Sequence, residues 1–172
     1  MSAGQFFSIK EKSTIGKIIP RFLASSVQEV TSKYQFSVYC QNLLAGYWTD
    51  LDRYGWVEEP KSENYAWSGR VKKFMRDFTM HKSDVLCLQE VEVAMFESDI
   101  LNPMKLLGYD GVVQKKIGNF PVGVGCLYKQ DKFELLNVFE RSSVIILELK
   151  LKETDCIVFV CSCHLMVSLI EN

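Results

Sequence analysis

Three side chains that can bind a divalent cation and a phosphate stand just beyond runs of apolar, strand-like residues. Asn42 follows residues 36–40, Glu90 follows residues 85–88 as Leu88-Gln89-Glu90, and His164 follows residues 156–162 as Cys163-His164-Leu165. Sheets of α/β proteins present their sites at such strand ends. Magnesium binds through one or two carboxylates and keeps several waters, so Glu90 is the expected main ligand. Asn42 would fix the ion or a water, and His164 would donate to a phosphate oxygen. Each residue taken singly also has a plainer explanation. Glu90 reads equally as a helix-start acid favoured by the helix dipole, Asn42 as a turn residue, and His164 as a partly buried, hydrogen-bonded imidazole.

The elements that must position these groups follow from the apolar pattern. Residues 35–40 alternate and are rich in β-formers, which predicts a strand. Residues 46–64 are aromatic and polar with Pro60, and read as a long loop. Ser68 is the expected N-cap of an amphipathic helix carrying Val71, Phe74, Met75 and Phe78, which stops before Lys82-Ser83. Residues 84–88 form a short, nearly continuous apolar strand of the buried kind. Phe96, Ile100, Leu101, Met104 and Leu107 predict a second helix ending at Gly108, with Pro103 kinking or splitting it. Strands are expected at 111–114, 123–128, 133–139, 143–151 and 156–162. The polar turn Lys152-Glu153-Thr154-Asp155 makes the last two a hairpin. Helices early and a β-meander late predict an α/β fold, with a mixed sheet covered by helices on one face.

Composition narrows the classes of function. The chain has 172 residues, 48% of them hydrophobic, which suits one domain with a real core and excludes disorder as the main state. Lys and Arg number 20 against 21 Asp and Glu, so a polybasic partner surface is excluded. A phosphate-handling site is not, because a local cleft with a bound cation needs no global basicity. The longest apolar run, residues 156–161, is far short of the roughly 18 needed to span a bilayer. Four of the six cysteines lie in apolar strand-like runs and no signal peptide is evident, so they read as reduced and mostly buried in an intracellular protein. With no C-x-x-C and His81 as the sole other histidine, Cys161-Cys163-His164 is weak as a zinc site. Residues 1–33 read as an N-terminal extension, disordered or targeting. They are basic, hydroxyl-rich and acid-poor, which makes a mitochondrial location the alternative to a cytoplasmic or nuclear one.

Longer motifs carry a resemblance. Residues 36–45, Phe-Ser-Val-Tyr-Cys-Gln-Asn-Leu-Leu-Ala, resemble the opening strand motif of the endonuclease/exonuclease/phosphatase superfamily. Residues 83–91, Ser-Asp-Val-Leu-Cys-Leu-Gln-Glu-Val, resemble its A-D-(V/I)-(L/I)-C-L-Q-E-V motif almost residue for residue. Trp67-Ser68-Gly69-Arg70 resembles a W-x-x-R. Leu107-Gly108-Tyr109, then Pro121-Val122-Gly123, then Lys132-Phe133-Glu134-Leu135-Leu136 resemble its G-Y … P-D-G … K-F-x-L-L series, and Cys163-His164-Leu165 sits at its T-H-L. The match is nearest the deadenylase-like branch of Angel proteins, Nocturnin, catabolite-repressor-type deadenylases and 2′-phosphodiesterases.

The resemblance implies a partial two-sheet α/β sandwich over residues 34–172, with Glu90 as magnesium ligand, manganese as the alternative ion, and Asn42 in the metal and phosphate shell. It implies that His164 contacts the scissile phosphate of RNA 3′ ends or nucleotide phosphates. A lipid or inositol phosphatase of the same superfamily is an alternative that uses the same metal. The superfamily also carries a later D-x-N and a terminal S-D-H, and neither pattern occurs here. Gln41, Val122, Ser143 and Cys163 depart from it as well. The expectation is therefore an N-terminal half, inactive alone, or a pseudoenzyme binding RNA or a protein. Such a half would supply about one sheet, whose exposed apolar face invites self-association.

Overall fold

The computed structural model describes residues 33–49, 66–114 and 121–165. The extension expected over residues 1–33 lies outside them apart from Lys33, and most of the loop expected over 46–64 does too.

Strand β1, Val38–Asn42, runs into a 3₁₀ turn at Gly46–Trp48, and helix α1 spans Trp67–His81. Strand β2, Val85–Glu92, leads to α2, Val93–Met95, a wider π-helical segment Phe96–Leu101, and α3, Asn102–Lys105. Strands β3 (Tyr109–Val113), β4 (Val122–Lys129), β5 (Phe133–Arg141), β6 (Val144–Leu151) and β7 (Ile157–Cys163) follow. They form a four-stranded mixed sheet in the order β1-β2-β4-β3 and a three-stranded antiparallel sheet in the order β5-β6-β7. In the mixed sheet β1 runs parallel to β2, while β4 runs antiparallel to both β2 and β3.

The continuous apolar run of β2 is explained by burial on both faces. Leu86, Leu88 and Val91 join Phe78 of α1 with Phe96, Ile100 and Met104 of the second helical region. On the opposite face Val85 and Cys87, with Val124, Cys126 and Tyr128, meet Ile145, Leu147, Leu149, Leu151 and Val160 of the other sheet. Each such side chain contributes about 2 kcal/mol on burial. The chain thus carries strands of both sheets of an α/β sandwich. This corrects the expectation of one sheet with a bare apolar face: the β-meander folds back as that face's own cover.

Local differences have local causes. Helix α1 starts at Trp67 with Ala66 as its cap, two residues earlier than a Ser68 cap allows, and the Arg70 amide N–H already donates to Ala66 O. Before Pro103, which lacks an amide donor, the helix widens into the π-helical segment, so the split falls there. Gly108 takes the left-handed conformation, φ +82°, as a helix-terminating glycine does. The last helical residue is Lys105, however, so Leu107 turns outward and is 51% exposed rather than in the core. All six cysteines are free thiols, and only Cys87 and Cys126 are buried, because strand parity turns Cys161 and Cys163 outward on β7. No helix among the described residues is long and apolar enough to cross a membrane.

Candidate functional site

The site forms where β1, β2 and β7 end side by side, and it depends on a bulge in β2. Leu88 pairs with Gly125 and Val91 with Gly123, so Gln89 and Glu90 together face a single residue of β4. A bulge of this kind bends a strand and re-aims a side chain. Glu90 has φ +53°, a left-handed conformation that a non-glycine residue adopts at a cost of about 1 kcal/mol or more. Its carboxylate is thereby delivered across the end of β1.

The three residues expected to do chemistry are brought together there. Asn42 Nδ2 donates to Glu90 Oε1 at 2.7 Å, and the Ala45 amide donates to Glu90 Oε2 at 3.3 Å. His164 Nε2 lies 3.5 Å from Glu90 Oε1. The His164 backbone amide donates to Ser143 O at 2.9 Å, which ties the end of β7 to the β5–β6 turn. Ser143 itself has φ +58°, a conformation that asparagine tolerates better than serine, and this is where the sequence departs from the superfamily's Asn. The Asn42 amide is oriented at both ends, since its Oδ1 accepts from the Leu44 amide at 2.8 Å. Asn42 therefore holds the Glu90 carboxylate in place.

Further residues belong to this cluster and were not singled out as site residues by pattern. Arg70 is buried beneath it, and its Nη1 donates to the carbonyls of both Leu43 and Leu44. Burial lowers the Arg70 pKa, while the charges of Glu92 and Glu90 push it back up. Glu92 accepts from the Tyr47 amide at 3.2 Å. Gly46 lies close against it, and a Cβ there, 2.6 Å from Glu92 Oε1, would make the carboxylate shift. Gln89 Nε2 donates to Ser162 Oγ at 3.2 Å, and that hydroxyl donates to Leu88 O, so a buried polar tie joins the two sheets directly behind Glu90 and His164. The W-x-x-R spacing and the glutamine before Glu90 were the only signals for Arg70 and Gln89.

Among the described residues no group of three or more His, Cys, Asp and Glu side chains is arranged to hold a metal ion by itself. The donor set of one presented carboxylate with a neighbouring amide fits magnesium nonetheless, because that ion keeps waters and takes phosphate oxygens as further ligands. Glu90 is the residue that would hold it.

Paired sheets with a carboxylate, amide and imidazole at their strand ends match the two-sheet α/β sandwich seen in solved structures similar in fold. Comparison with known proteins adds the branch. No family model matches the chain. It is 29% identical to protein angel homolog 2 of Bos taurus over 127 residues, 70% of this chain and 23% of that protein. It is 28% identical to carbon catabolite repressor protein 4 homolog 1 of Arabidopsis thaliana over 112 residues, 61% of this chain and 18% of that protein. The crystal structure of ANGEL2, a 2′,3′-cyclic phosphatase, in complex with adenosine-2′,3′-vanadate superposes with a TM-score of 0.67 at 26% identity, covering 76% of this chain and 41% of that one. Over the part it spans, the chain is similar to the Angel and catabolite-repressor-type proteins of the deadenylase-like branch of the endonuclease/exonuclease/phosphatase superfamily, and it shares its fold with the human Nocturnin catalytic domain. It spans about a fifth of the length of these two curated relatives.

Proposed function

We propose that this chain carries the cation- and phosphate-binding half of a magnesium-dependent phosphodiesterase site, with manganese as the alternative ion, acting on RNA 3′ ends or small nucleotide phosphates. The observation that carries the reading is the Glu90 carboxylate, held at a bulge by Asn42 Nδ2 with His164 Nε2 beside it at 3.5 Å. When bound, the cation would neutralise phosphate charge and acidify a coordinated water. Asn42 and the Ala45 amide fix the carboxylate, and His164, half-exposed, donates to a phosphate oxygen as charge develops there. The vanadate complex of ANGEL2 supports a nucleotide phosphate as the substrate class. No D-x-N or S-D-H sequence occurs in the 172 residues, so the group that positions the attacking water is not supplied by those motifs. Loss of such a base costs a factor of about 10²–10⁴, and the chain acting alone is proposed to be close to inactive.

The test pairs the chain with Glu90→Ala, assayed with magnesium on oligoadenylate-ended RNA, RNA ending in a 2′,3′-cyclic phosphate, and an inositol phosphate. Slow hydrolysis of the nucleic acids that Glu90→Ala abolishes supports the reading. Turnover that survives Glu90→Ala sinks it. RNA binding without turnover favours the pseudoenzyme alternative, and turnover confined to the inositol phosphate favours the lipid or inositol phosphatase.

Self-association is also proposed, through the free edge of β7 and not the covered inter-sheet face. Among the described residues β7 pairs only with β6, carries no charge, and leaves Ile157 and Phe159 52% and 64% exposed. Such edges template pairing with another chain, here a second copy. Size-exclusion chromatography with light scattering should find a dimer that Phe159→Lys converts to monomer, and a monomeric parent chain would remove the proposal.

A further inference from the structure

Arg70 is 7% exposed, a cation placed on the first turn of α1, away from any bulk water that would solvate it. Burying an arginine costs several kcal/mol unless its donors are used and its charge is met. Its surroundings offset part of that cost. The Trp67 ring lies 5.5 Å from the guanidinium, Nη1 donates to Leu43 O and Leu44 O together, and the charges of Glu92 and Glu90 favour its charged form. The two carbonyls it gathers belong to a backbone corner that would not form unaided. Leu44 has φ +52°, and the Leu43 amide is meanwhile tied to Gln89 O at 2.9 Å.

That corner decides where Asn42 points. The Leu44 amide donates to Asn42 Oδ1 at 2.8 Å, and with that oxygen held Nδ2 faces Glu90 Oε1 at 2.7 Å. We propose that Arg70 is a positioning residue: it clamps the 43–44 corner so that Asn42 is aimed at Glu90, and its charge offsets those of the Glu90 and Glu92 carboxylates before a cation arrives. The purpose of that arrangement rests on the function proposed above. The arrangement itself does not.

Arg70→Met keeps the stem and removes donors and charge. Arg70→Lys keeps the charge, and because both bonds leave a single nitrogen, an ammonium can restore part of them. In Arg70→Met, manganese affinity should fall about 10–100-fold, the usual cost of removing a group that orients a metal ligand, and Arg70→Lys should recover part of the loss. In the metal-free chain the Asn42 side-chain amide protons should lose their carboxylate-bonded NMR shifts in Arg70→Met and regain them partly in Arg70→Lys. A folded Arg70→Met with unchanged affinity and unchanged Asn42 resonances overturns the proposal. If Arg70→Met does not fold, the parent chain decides: a clamped guanidinium gives separate Nη–H resonances, and a single averaged one overturns it. Failure of the parent chain to bind manganese would sink the functional reading alone, since the Asn42 and Arg70 resonances still test the clamp.

Discussion

Glu90→Gly should abolish cation binding and yet yield a more stable protein than Glu90→Ala. Both substitutions remove the carboxylate and the two bonds it accepts from Asn42 and Ala45. They differ in the backbone they permit. In a regular strand glycine is the worse choice by about 0.5–1 kcal/mol, because it loses more freedom on folding. At φ +53° the order reverses, since a Cβ costs about 1–2 kcal/mol there and glycine pays none of it. Glu90→Gly should therefore exceed Glu90→Ala by about 1 kcal/mol in denaturant unfolding, a shift of several degrees in Tm. Both variants should lose manganese affinity by at least about a hundredfold, more than loss of an orienting neighbour costs. A Glu90→Ala more stable than Glu90→Gly would mean that the bulge is not strained as described. Retained affinity in either would mean that the ion binds elsewhere.

The same residue shows what could be read before the fold was known. The Leu88-Gln89-Glu90 order marked Glu90, and apolar runs ending at Asn42 and His164 marked its two companions. The bulge was not legible, because a residue's type does not announce a left-handed conformation unless it is glycine, and glutamate there looks like an ordinary strand end. The W-x-x-R spacing marked Arg70 but not its buried role, since a basic residue near Lys72, Lys73 and Arg76 has the composition of a solvated helix face. What separates it is tertiary, the carbonyls of Leu43 and Leu44 arriving from a corner 26 to 27 residues away in sequence.

Strands were easier than their partners. On β6 the charges of Glu148 and Lys150 already mark the outward parity, which leaves Ile145, Leu147, Leu149 and Leu151 on the apolar face. What pattern does not show is the partner of that face, the mixed sheet. Parity then explains the cysteines. With Val160 and Ser162 turned inward on β7, Cys161 and Cys163 must face out.

Asp84→Asn should cost about 2 kcal/mol at pH 7, and the cost should vanish in acid. Asp84 begins the segment that delivers Glu90, and its carboxylate gathers three parts of the fold. Ser37 donates to it from backbone and hydroxyl at 2.8 and 3.0 Å, Lys132 approaches to 2.8 Å and Lys129 to 3.1 Å. Burial alone would raise its pKa, but Lys132, the Ser37 amide, Lys129 and the Ser37 hydroxyl together draw it down to about 2. A carboxyl lowered in the folded state adds stability above its unfolded value near 4, and that stability drains away as pH falls through the folded value. A shift of nearly two units is worth roughly 2–3 kcal/mol, discounted to about 2 because water reaches both lysines, 25% and 31% exposed. Asparagine does not titrate, so the parent chain should lead the variant by about 2 kcal/mol in denaturant unfolding at pH 7, by less at pH 3, and by nearly nothing at pH 2. A lead that stays constant across that range would show that lost hydrogen-bond geometry, and not charge, is what the variant removes.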